Sequence, residues 1–219
     1  MDIWLVLKTI FLIFLIVLGI FFFIFFVLLR IIRRYHKFPI PGFMTRLIDN
    51  PIRRKFIQKP ETVAERMKLE SGMTVLEIGP GKGSYTKALA KNILPDGKVY
   101  AIDIQESIIN RLKKRIEKDN IENIIPKIDN VYNLSFEDSS IDRVIMIACL
   151  PEIPEPIRAL KEIKRILKPN GLLSLSELLP DPDYPRRKTE IKWAETAGFK
   201  LDDRFGNWFV YQLNFKKKT

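Results

Sequence analysis

The distribution of hydrophobic positions divides the chain into an apolar leader and a longer stretch of short alternating blocks. No side chain between Thr9 and Leu29 is charged, and ~20 apolar residues in a helix span a hydrocarbon core of ~30 Å. The alternative is a cleaved signal peptide, whose apolar core is usually ~7–15 residues long and ends at small residues. This run is longer and ends in Leu28, Leu29 and Arg30. We therefore predict a transmembrane anchor over residues 1–32, followed by one soluble domain.

From residue 61 onward, runs of strand length alternate with amphipathic runs of helical length. The pattern predicts strands at Thr74–Ile78, Lys98–Ile102, Ile124–Ile128, Ile141–Leu150, Leu172–Ser176, Lys200–Phe205 and Trp208–Phe215. It predicts helices near Glu61–Leu69, Tyr85–Asn92, Glu106–Asp119, Glu155–Leu167 and Lys188–Ala197, with a turn at Lys168–Gly171. Strands joined by crossover helices form a mostly parallel sheet that is covered on both faces. The short join at Gly206 and Asn207 makes the last two of the seven strands an antiparallel hairpin.

The net charge of +11 is distributed unevenly along the chain. Residues 30–60 contain nine Lys or Arg and one Asp, residues 216–218 are three lysines, and residues 61–215 are neutral. Nucleic-acid binding would also use basic charge, but here the charge adjoins the anchor, where each Lys or Arg near an anionic leaflet contributes ~1 kcal/mol. We therefore expect contact with anionic headgroups near residues 30–60 and no nucleic-acid partner. Residues 33–60 are interpreted as a basic juxtamembrane connector or cap, in which Asn50 and Pro51 can begin a helix.

The flanks of the anchor predict its orientation, because basic flanks stay cytoplasmic. Asp2 and Lys8 precede the span, and the basic residues Arg30, Arg33, Arg34 and Lys37 follow it. The prediction is a single-pass membrane protein with its N-terminus outside and its main domain in the cytoplasm. The single Cys149 forms no intramolecular disulfide, which fits that reducing side. The single His36 argues against a zinc site.

The stretch LEIGPGKGS, from Leu76 to Ser84, places glycines at three alternate positions between the first strand and the first helix of the domain. Doubly wound sheets hold nucleotide-like ligands at such a turn. The spacing of Gly79, Gly81 and Gly83 differs from the dinucleotide fingerprint Gly-x-Gly-x-x-Gly, and no Gly-Lys-Ser/Thr string marks a phosphate-binding loop. The turn is therefore a candidate seat for a different nucleotide-like cofactor.

An acidic residue, Glu77, followed by Gly-x-Gly-x-Gly after a first strand resembles the signature of the class I S-adenosylmethionine-dependent methyltransferases. Residues 61–215 also follow that family's order of elements, including the terminal reversed hairpin. The resemblance implies an α/β fold that is Rossmann-like and doubly wound, and a methyltransferase domain over residues 61–219. It further implies that Gly79, Gly81 and Gly83 lie along the methionine end of S-adenosylmethionine and that Glu77 contacts its amino group.

A second match to the family lies at the end of the second strand. Asp103 follows Gly83 by 20 residues, and a carboxylate at this place accepts hydrogen bonds from ribose hydroxyls. The resemblance places Ile104 along the adenine ring and Asp129 and Asn130 at the adenine edge. A helix cap or a solvated turn is the competing interpretation of each Asp.

Acceptor groups are expected at the carboxyl ends of the fourth and fifth strands. Methyl transfer mainly requires alignment and exclusion of water, so no large catalytic constellation is needed. Glu152, Glu177 and Tyr184, with Asp181 and Asp183 nearby, are candidates for orienting an amine or removing a proton. Helix capping or turn formation explains each of these residues equally well.

Two departures from the family narrow the acceptor class. Relatives that methylate nucleobase amines usually carry Asn or Asp followed by Pro-Pro-aromatic after the fourth strand, where this chain has Ala148-Cys-Leu-Pro151. Arsenic-methylating relatives rely on several cysteines, and this chain has one. The remaining resemblance is to quinone and phospholipid methyltransferases, and the anchor favours a lipid or isoprenoid-like acceptor. Alternatives are methylation of membrane-associated proteins or of soluble small molecules, and a non-catalytic membrane scaffold that binds S-adenosylmethionine.

Overall fold

The structure, a computed structural model, describes residues 2–35, 49–179 and 181–218. The chain forms two compact units, residues 1–37 and residues 38–219. The first unit contains helix α1, Ile3–Tyr35, whose apolar side chains are largely exposed. By length and composition, α1 is the one helix in the described ranges that could cross a bilayer. Residues 36–48 of the predicted connector, with His36, lie outside the described residues.

The second unit is a seven-stranded sheet with helices between its strands. Its strands are β1 (Thr74–Ile78), β2 (Lys98–Asp103), β3 (Ile124–Ile128), β4 (Ile141–Ile147), β5 (Leu167–Leu178), β6 (Phe199–Gly206) and β7 (Val210–Lys217). Its α-helices are α2 (Pro60–Glu65), α3 (Ser84–Asn92), α4 (Glu106–Lys118), α5 (Pro156–Ile166) and α6 (Arg187–Thr196). A π-helical turn, Arg53–Ile57, precedes α2, and a 3₁₀ turn, Leu150–Glu152, follows β4.

The strand order is β3-β2-β1-β4-β5-β7-β6. All pairings from β3 to β5 are parallel, whereas β7 runs antiparallel to both β5 and β6. The predicted mostly parallel sheet with a terminal antiparallel hairpin is therefore confirmed. Strand β1 lies between β2 and β4, and all three strands are parallel, so their carboxyl ends lie side by side. Open α/β sheets bind ligands at such a place, where the strand order reverses.

Two apolar clusters pack on the opposite faces of this sheet. Successive residues of a strand point to opposite faces, and accordingly Leu76 belongs to one cluster while its neighbour Val75 belongs to the other. Helices α5 and α6 contribute to the Leu76 cluster, and α2, α3 and α4 contribute to the Val75 cluster. The burial of both faces explains why the central strands are nearly continuously apolar.

The predicted turn at Lys168–Gly171 is wrong, because these residues lie within β5. Ile141 pairs with Leu167 and Arg143 pairs with Leu172, so four residues of β5 lie opposite one residue of β4. The turn-forming residues thus make an irregular bulge inside the strand instead of ending it. Lys168 Nζ donates a hydrogen bond of 2.8 Å to Asp142 Oδ1, which fastens the bulge to β4.

Candidate active site

An open cleft of ≈ 220 Å³ lies at the carboxyl ends of β1, β2 and β4. Eight of the residues predicted from the sequence line it: Glu77, Gly79, Gly81, Asp103, Ile104, Asp129, Asn130 and Glu152. Gly83, Glu177 and Tyr184 are not among its lining residues. The topology therefore brings most of the predicted cofactor-binding residues together from three separate loops. It also places one predicted acceptor residue, Glu152, in the same cleft.

The three glycines of the β1–α3 turn all have positive φ, yet their surroundings differ. A Cβ at Gly79 would meet Cys149 Sγ at 2.7 Å, and a Cβ at Gly83 would meet Leu112 Cδ1 at 2.4 Å. A Cβ at Gly81 would meet nothing within 4 Å, and Gly81 lines the cleft. Gly79 and Gly83 thus allow close packing of the turn against its neighbours, whereas Gly81 keeps the backbone bare towards a ligand.

Glu77 is a buried carboxyl group at the floor of the cleft. Its side chain is 1% exposed, and its Oε2 has no hydrogen-bond partner among the described residues. Burial raises the pKa of Glu77 to about 7, and the charge of Asp49 adds to this rise. An unpaired buried carboxyl group is costly, so a cationic ligand group placed beside Glu77 would satisfy it.

The end of β2 presents a carboxylate beside an apolar surface. Asp103 Oδ1 accepts a hydrogen bond of 2.8 Å from the Gln105 N–H, which fixes the orientation of the side chain. Burial raises the pKa of Asp103, although hydrogen bonds from backbone N–H groups oppose the rise. Ile104 is 60% exposed and lines the same cleft. A hydroxylated sugar next to a flat aromatic base matches this pair of neighbours.

Asp129 and Asn130 reach the cleft in a loop that their own side chains organise. Asp129 Oδ1 accepts a hydrogen bond of 2.9 Å from the Asn130 N–H, and the Ser135 hydroxyl donates to Asp129 Oδ2. Asn130 Oδ1 accepts one of 3.0 Å from the Tyr132 N–H. The turn interpretation of Asp129 therefore describes its hydrogen bonds, while the loop as a whole forms one wall of the cleft.

The acceptor candidates separate into one residue in the cleft and two outside it. Glu152 lines the cleft on the 3₁₀ turn after β4, next to Ile153. Tyr184 packs edge to face on Tyr211 with ring centroids 5.6 Å apart, and its hydroxyl donates to the Trp208 carbonyl. Glu177 is fully buried at the end of β5. The structure does not place Glu177 or Tyr184 in the cleft lining: Glu177 is buried, and the half-buried Tyr184 packs against Tyr211.

Glu177 and Glu190 form a pair of buried acids between β5 and α6. Both side chains are at most 1% exposed, and Glu190 lies within hydrogen-bonding reach of Glu177 and of the Tyr211 hydroxyl. Burial raises the pKa of Glu190 to about 8. Burial also raises the pKa of Glu177 well above its usual value, and the charges of Glu190 and Asp181 add to the rise. At neutral pH the pair therefore holds at least one proton.

Asp49 and Arg53, which no sequence pattern predicts as site residues, also line the cleft. The Asp49 carbonyl accepts a hydrogen bond of 2.7 Å from Lys82 Nζ in the glycine turn. The buried Arg53 guanidinium donates to Gln58 Oε1 at 2.9 and 2.6 Å and lies 5.8 Å from the ring centroid of Tyr85. Arg53 is followed by two other basic residues, and nothing in the sequence distinguishes it as the one whose side chain is buried. The predicted helix start is confirmed, because the Arg53 N–H donates to Asn50 Oδ1 at 2.9 Å.

This cap segment, residues 49–58, is fastened to the sheet by hydrogen bonds. Gln58 Nε2 donates a hydrogen bond of 2.6 Å to Ser176 Oγ in β5, and the Tyr85 hydroxyl donates one of 2.9 Å to the Gln58 carbonyl. Arg54 Nη1 donates one of 2.6 Å to Ser84 Oγ at the start of α3. The cap segment therefore forms one edge of the cleft.

Comparison with known proteins identifies the class to which this architecture belongs. Residues 69–200 match a family model described as a methyltransferase domain. A crystal structure of an S-adenosylmethionine-dependent methyltransferase from Aquifex aeolicus superposes with a TM-score of 0.75, at 25% identity, over 81% of this chain and 98% of that one. The chain belongs to the methyltransferase-domain family. The methyl donor of the Aquifex aeolicus enzyme is S-adenosylmethionine.

Individual relatives in this family act on different acceptors. Demethylmenaquinone methyltransferase of Lactobacillus johnsonii is 32% identical over 158 residues, which are 72% of this chain and 60% of that protein. The tRNA (adenine(58)-N(1))-methyltransferase catalytic subunit of Yarrowia lipolytica is 29% identical over 129 residues, which are 59% of this chain and 33% of that protein. The chain thus spans between a third and three fifths of the length of these relatives.

The residues of the cleft fit this methyl donor. The cationic amino group of its methionine end would satisfy the unpartnered Oε2 of the buried Glu77. Its ribose hydroxyls and its adenine ring match the carboxylate of Asp103 and the exposed surface of Ile104. Gly81 leaves the backbone open on the side that the ligand would approach. The amino group, the ribose and the adenine of the donor thus each have a group of complementary chemistry in the cleft.

The contrasting surroundings of Gly81 and Gly83 predict opposite effects of alanine substitution. Gly83→Ala should lower the free energy of unfolding by roughly 1–3 kcal/mol, because a left-handed backbone and contact with Leu112 both oppose the methyl group. Gly81→Ala should cost only about 1 kcal/mol of stability but should weaken binding of S-adenosylmethionine more strongly. Thermal unfolding and calorimetric titration of the full chain in detergent measure both quantities. If Gly81→Ala lowered stability more than Gly83→Ala did, and Gly83→Ala weakened cofactor binding more, the proposed roles of the two glycines would be contradicted.

The buried acid pair predicts a loss of stability as the pH rises. Glu190 has a pKa of about 8 in the folded chain and 4.5 as its ordinary value, so between these values the unfolded chain releases a proton that the folded chain retains. The free energy of unfolding should therefore fall with pH in this window. Glu190→Gln should flatten the fall by roughly 1–3 kcal/mol between pH 5 and pH 8, measured by urea unfolding. Glu117→Gln, at an exposed position of α4, should leave the slope unchanged.

Proposed function

We propose that the chain is a membrane-anchored methyltransferase that transfers the methyl group of S-adenosylmethionine to a lipid or isoprenoid-like acceptor resident in the membrane. The observation that carries this proposal is the presence, in one chain, of the cofactor cleft and of the exposed apolar helix α1. An enzyme held in a bilayer meets acceptors dissolved in that bilayer at a raised local concentration.

The properties of α1 support a membrane location. The helix has 33 residues, which at ~1.5 Å per residue is longer than the ~30 Å hydrocarbon core. Its apolar side chains are exposed on all sides, whereas a helix that is apolar all round belongs inside a large core or a membrane. The basic residues at its carboxyl end favour a cytoplasmic second unit and an N-terminus on the other side.

The cofactor side of the cleft orients the methyl donor through three groups. We propose that Glu77 accepts a hydrogen bond from the amino group, that Asp103 accepts hydrogen bonds from the ribose, and that Ile104 covers the adenine. S-adenosylmethionine supplies a methyl group on a sulfonium, whose positive charge is lost when the methyl group moves to a nucleophile. The protein needs to align that nucleophile and exclude water, and Asp49 and Arg53 of the cap segment close this side of the cleft.

The acceptor side combines apolar surface with one carboxylate. Ile153 and Pro154 line it beside Glu152, so an apolar acceptor would contact the first two while Glu152 receives a proton from the methylated atom. The similarity to a demethylmenaquinone methyltransferase supports a lipid-like acceptor. The absence from the sequence of the motif Asn/Asp-Pro-Pro-aromatic disfavours a nucleobase, although a tRNA methyltransferase is also a relative.

Transfer of radiolabelled methyl to host membranes tests the acceptor class. Membranes containing the full chain should incorporate label into the lipid fraction, and Asp103→Ala should abolish most of it because the cofactor loses hydrogen bonds to a charged group worth ~1.5–3 kcal/mol. Asp119→Ala is the matched control, since Asp119 is an exposed carboxylate that pairs with Lys87. Label found only in the protein fraction would replace the lipid proposal by methylation of membrane-associated proteins. Cofactor binding without any transfer would indicate a scaffold or a soluble acceptor.

The proposed role of Glu77 predicts that cofactor affinity rises with pH. Its pKa is about 7, so below that pH the group is mainly neutral and must lose its proton to pair with an ammonium group. The affinity for S-adenosylmethionine should therefore fall by up to about tenfold for each pH unit below 7, with proton release on binding. Calorimetry in buffers of different ionisation enthalpy measures both effects. In Glu77→Gln the affinity should be lower and its pH dependence flat; an unchanged slope would exclude Glu77 as the linked group.

A further inference from the structure

The cap segment exposes two large apolar side chains on one side of its helical turn. Ile52 is 66% exposed and Phe56 is 70% exposed. Residues four apart on a helical turn lie on the same side of it, so Ile52 and Phe56 form an apolar pair on one side of the segment. Coverage of these two side chains by an apolar partner would be favourable, because it would remove their surface from water.

The charges around this pair favour one kind of partner. Lys55 lies in the cap segment and Lys59 directly after it, and both are exposed, whereas Arg54 is paired with Asp49 at 3.5 Å. Lys55 Nζ lies 5.4 Å from the ring centroid of Phe56. Apolar side chains flanked by Lys and Arg are typical of segments that lie in the interface of an anionic bilayer.

The length of the chain also keeps this segment close to a membrane. Thirteen residues separate Tyr35, where α1 ends, from Asp49, and an extended chain advances at most ~3.6 Å per residue. If α1 spans a bilayer, the cap segment starts within ~50 Å of the end of α1. The apolar pair therefore has a bilayer surface within reach.

The same turn that exposes the apolar pair also lines the cleft. Arg53 lies between Ile52 and Phe56 in sequence, yet it is 3% exposed and faces the cleft. Asp49 lines the cleft one turn earlier. The exposed Ile52 is therefore the direct neighbour in sequence of Arg53, which lines the cleft.

We infer that Ile52 and Phe56 dock the cap segment into the interface of an anionic bilayer and so hold the mouth of the cleft against the lipid from which the acceptor enters. The identity of that acceptor rests on the proposed function, whereas the docking surface rests on exposure, charge and reach. The insertion of two large apolar side chains transfers their surface out of water, and the neighbouring cations pair with headgroup phosphates.

Site-directed nitroxide labels on the full chain test the docking. Phe56→Cys places a label in the apolar pair, and Trp208→Cys places a control label at a similarly exposed position, 68%, between β6 and β7. Both labels are placed in a Cys149→Ser background, because Cys149 is partly exposed and lines the cleft. The chain is reconstituted in vesicles of phosphatidylcholine alone and in vesicles that also contain phosphatidylglycerol.

Collision of each label with oxygen, which partitions into lipid, is compared with collision with a water-soluble nickel chelate. The label at position 56 should meet oxygen more and the nickel chelate less than the label at position 208, and the contrast should increase with phosphatidylglycerol. Equal exposure of the two labels to the nickel chelate would overturn the inference. Dipolar broadening between labels at position 56 would also overturn it, because a second copy would then cover the pair.

Activity separates the docking surface from the proposed acceptor. The double variant Ile52→Ser, Phe56→Ser should lower methyl transfer to the membrane acceptor by about tenfold and leave the affinity for S-adenosylmethionine unchanged, whereas Trp208→Ser should change neither. Unchanged transfer in the double variant would overturn the coupling of docking to acceptor entry. A lipid-exposed label at position 56 in a chain that labels no lipid would instead refute the proposed acceptor and leave the docking surface in place.

Discussion

The structure of the site depends on a backbone turn that side chains would obstruct. Between β1 and α3 the chain has to reverse direction while packing against Cys149 on one side and Leu112 on the other, and Gly79 and Gly83 meet these two requirements. Only with the turn held this tightly does Gly81 present bare backbone to the cleft. Positive φ at three alternate positions is a conformation that few residues other than glycine adopt at low cost. The position of Glu77 just before the turn follows from the same geometry.

Buried acids serve two different purposes in this molecule. Glu77 opens onto the cleft with an unsatisfied oxygen, so a ligand cation can compensate for its burial. Glu177 and Glu190 face packed surroundings, and a shared proton reduces the cost of burying them. Similar shifts of pKa thus indicate a binding group in one place and a proton held within the core in the other. Only the relation of each group to the cleft distinguishes the two cases.

The elements of the sheet, and the grouping of most of the predicted cofactor-binding residues in one cleft, could be predicted from the sequence because both depend on local patterns. Apolar runs define the strands, and the order of strands and helices brings Glu77 and Asp103 to one edge. The sequence did not reveal that Glu177 and Tyr184 point away from the cleft, since the direction of a side chain at a strand end depends on packing from distant segments. Arg53 was missed for a related reason: among many basic residues, no local signal distinguishes the one that turns inward. The string Lys-Pro-Asn-Gly is typical of a turn, yet pairing with β4 on either side keeps it within a strand.

The central claim is that the turn after β1 and the ends of β2 and β3 form one binding surface for S-adenosylmethionine. Hydrogen–deuterium exchange of the full chain, with and without S-adenosylmethionine, tests this claim most directly. The account predicts slower exchange of backbone N–H groups in residues 79–83, 103–105 and 129–132, with no change in the loop between β6 and β7. Unchanged exchange in residues 79–83, or slowing confined to other segments, would contradict it.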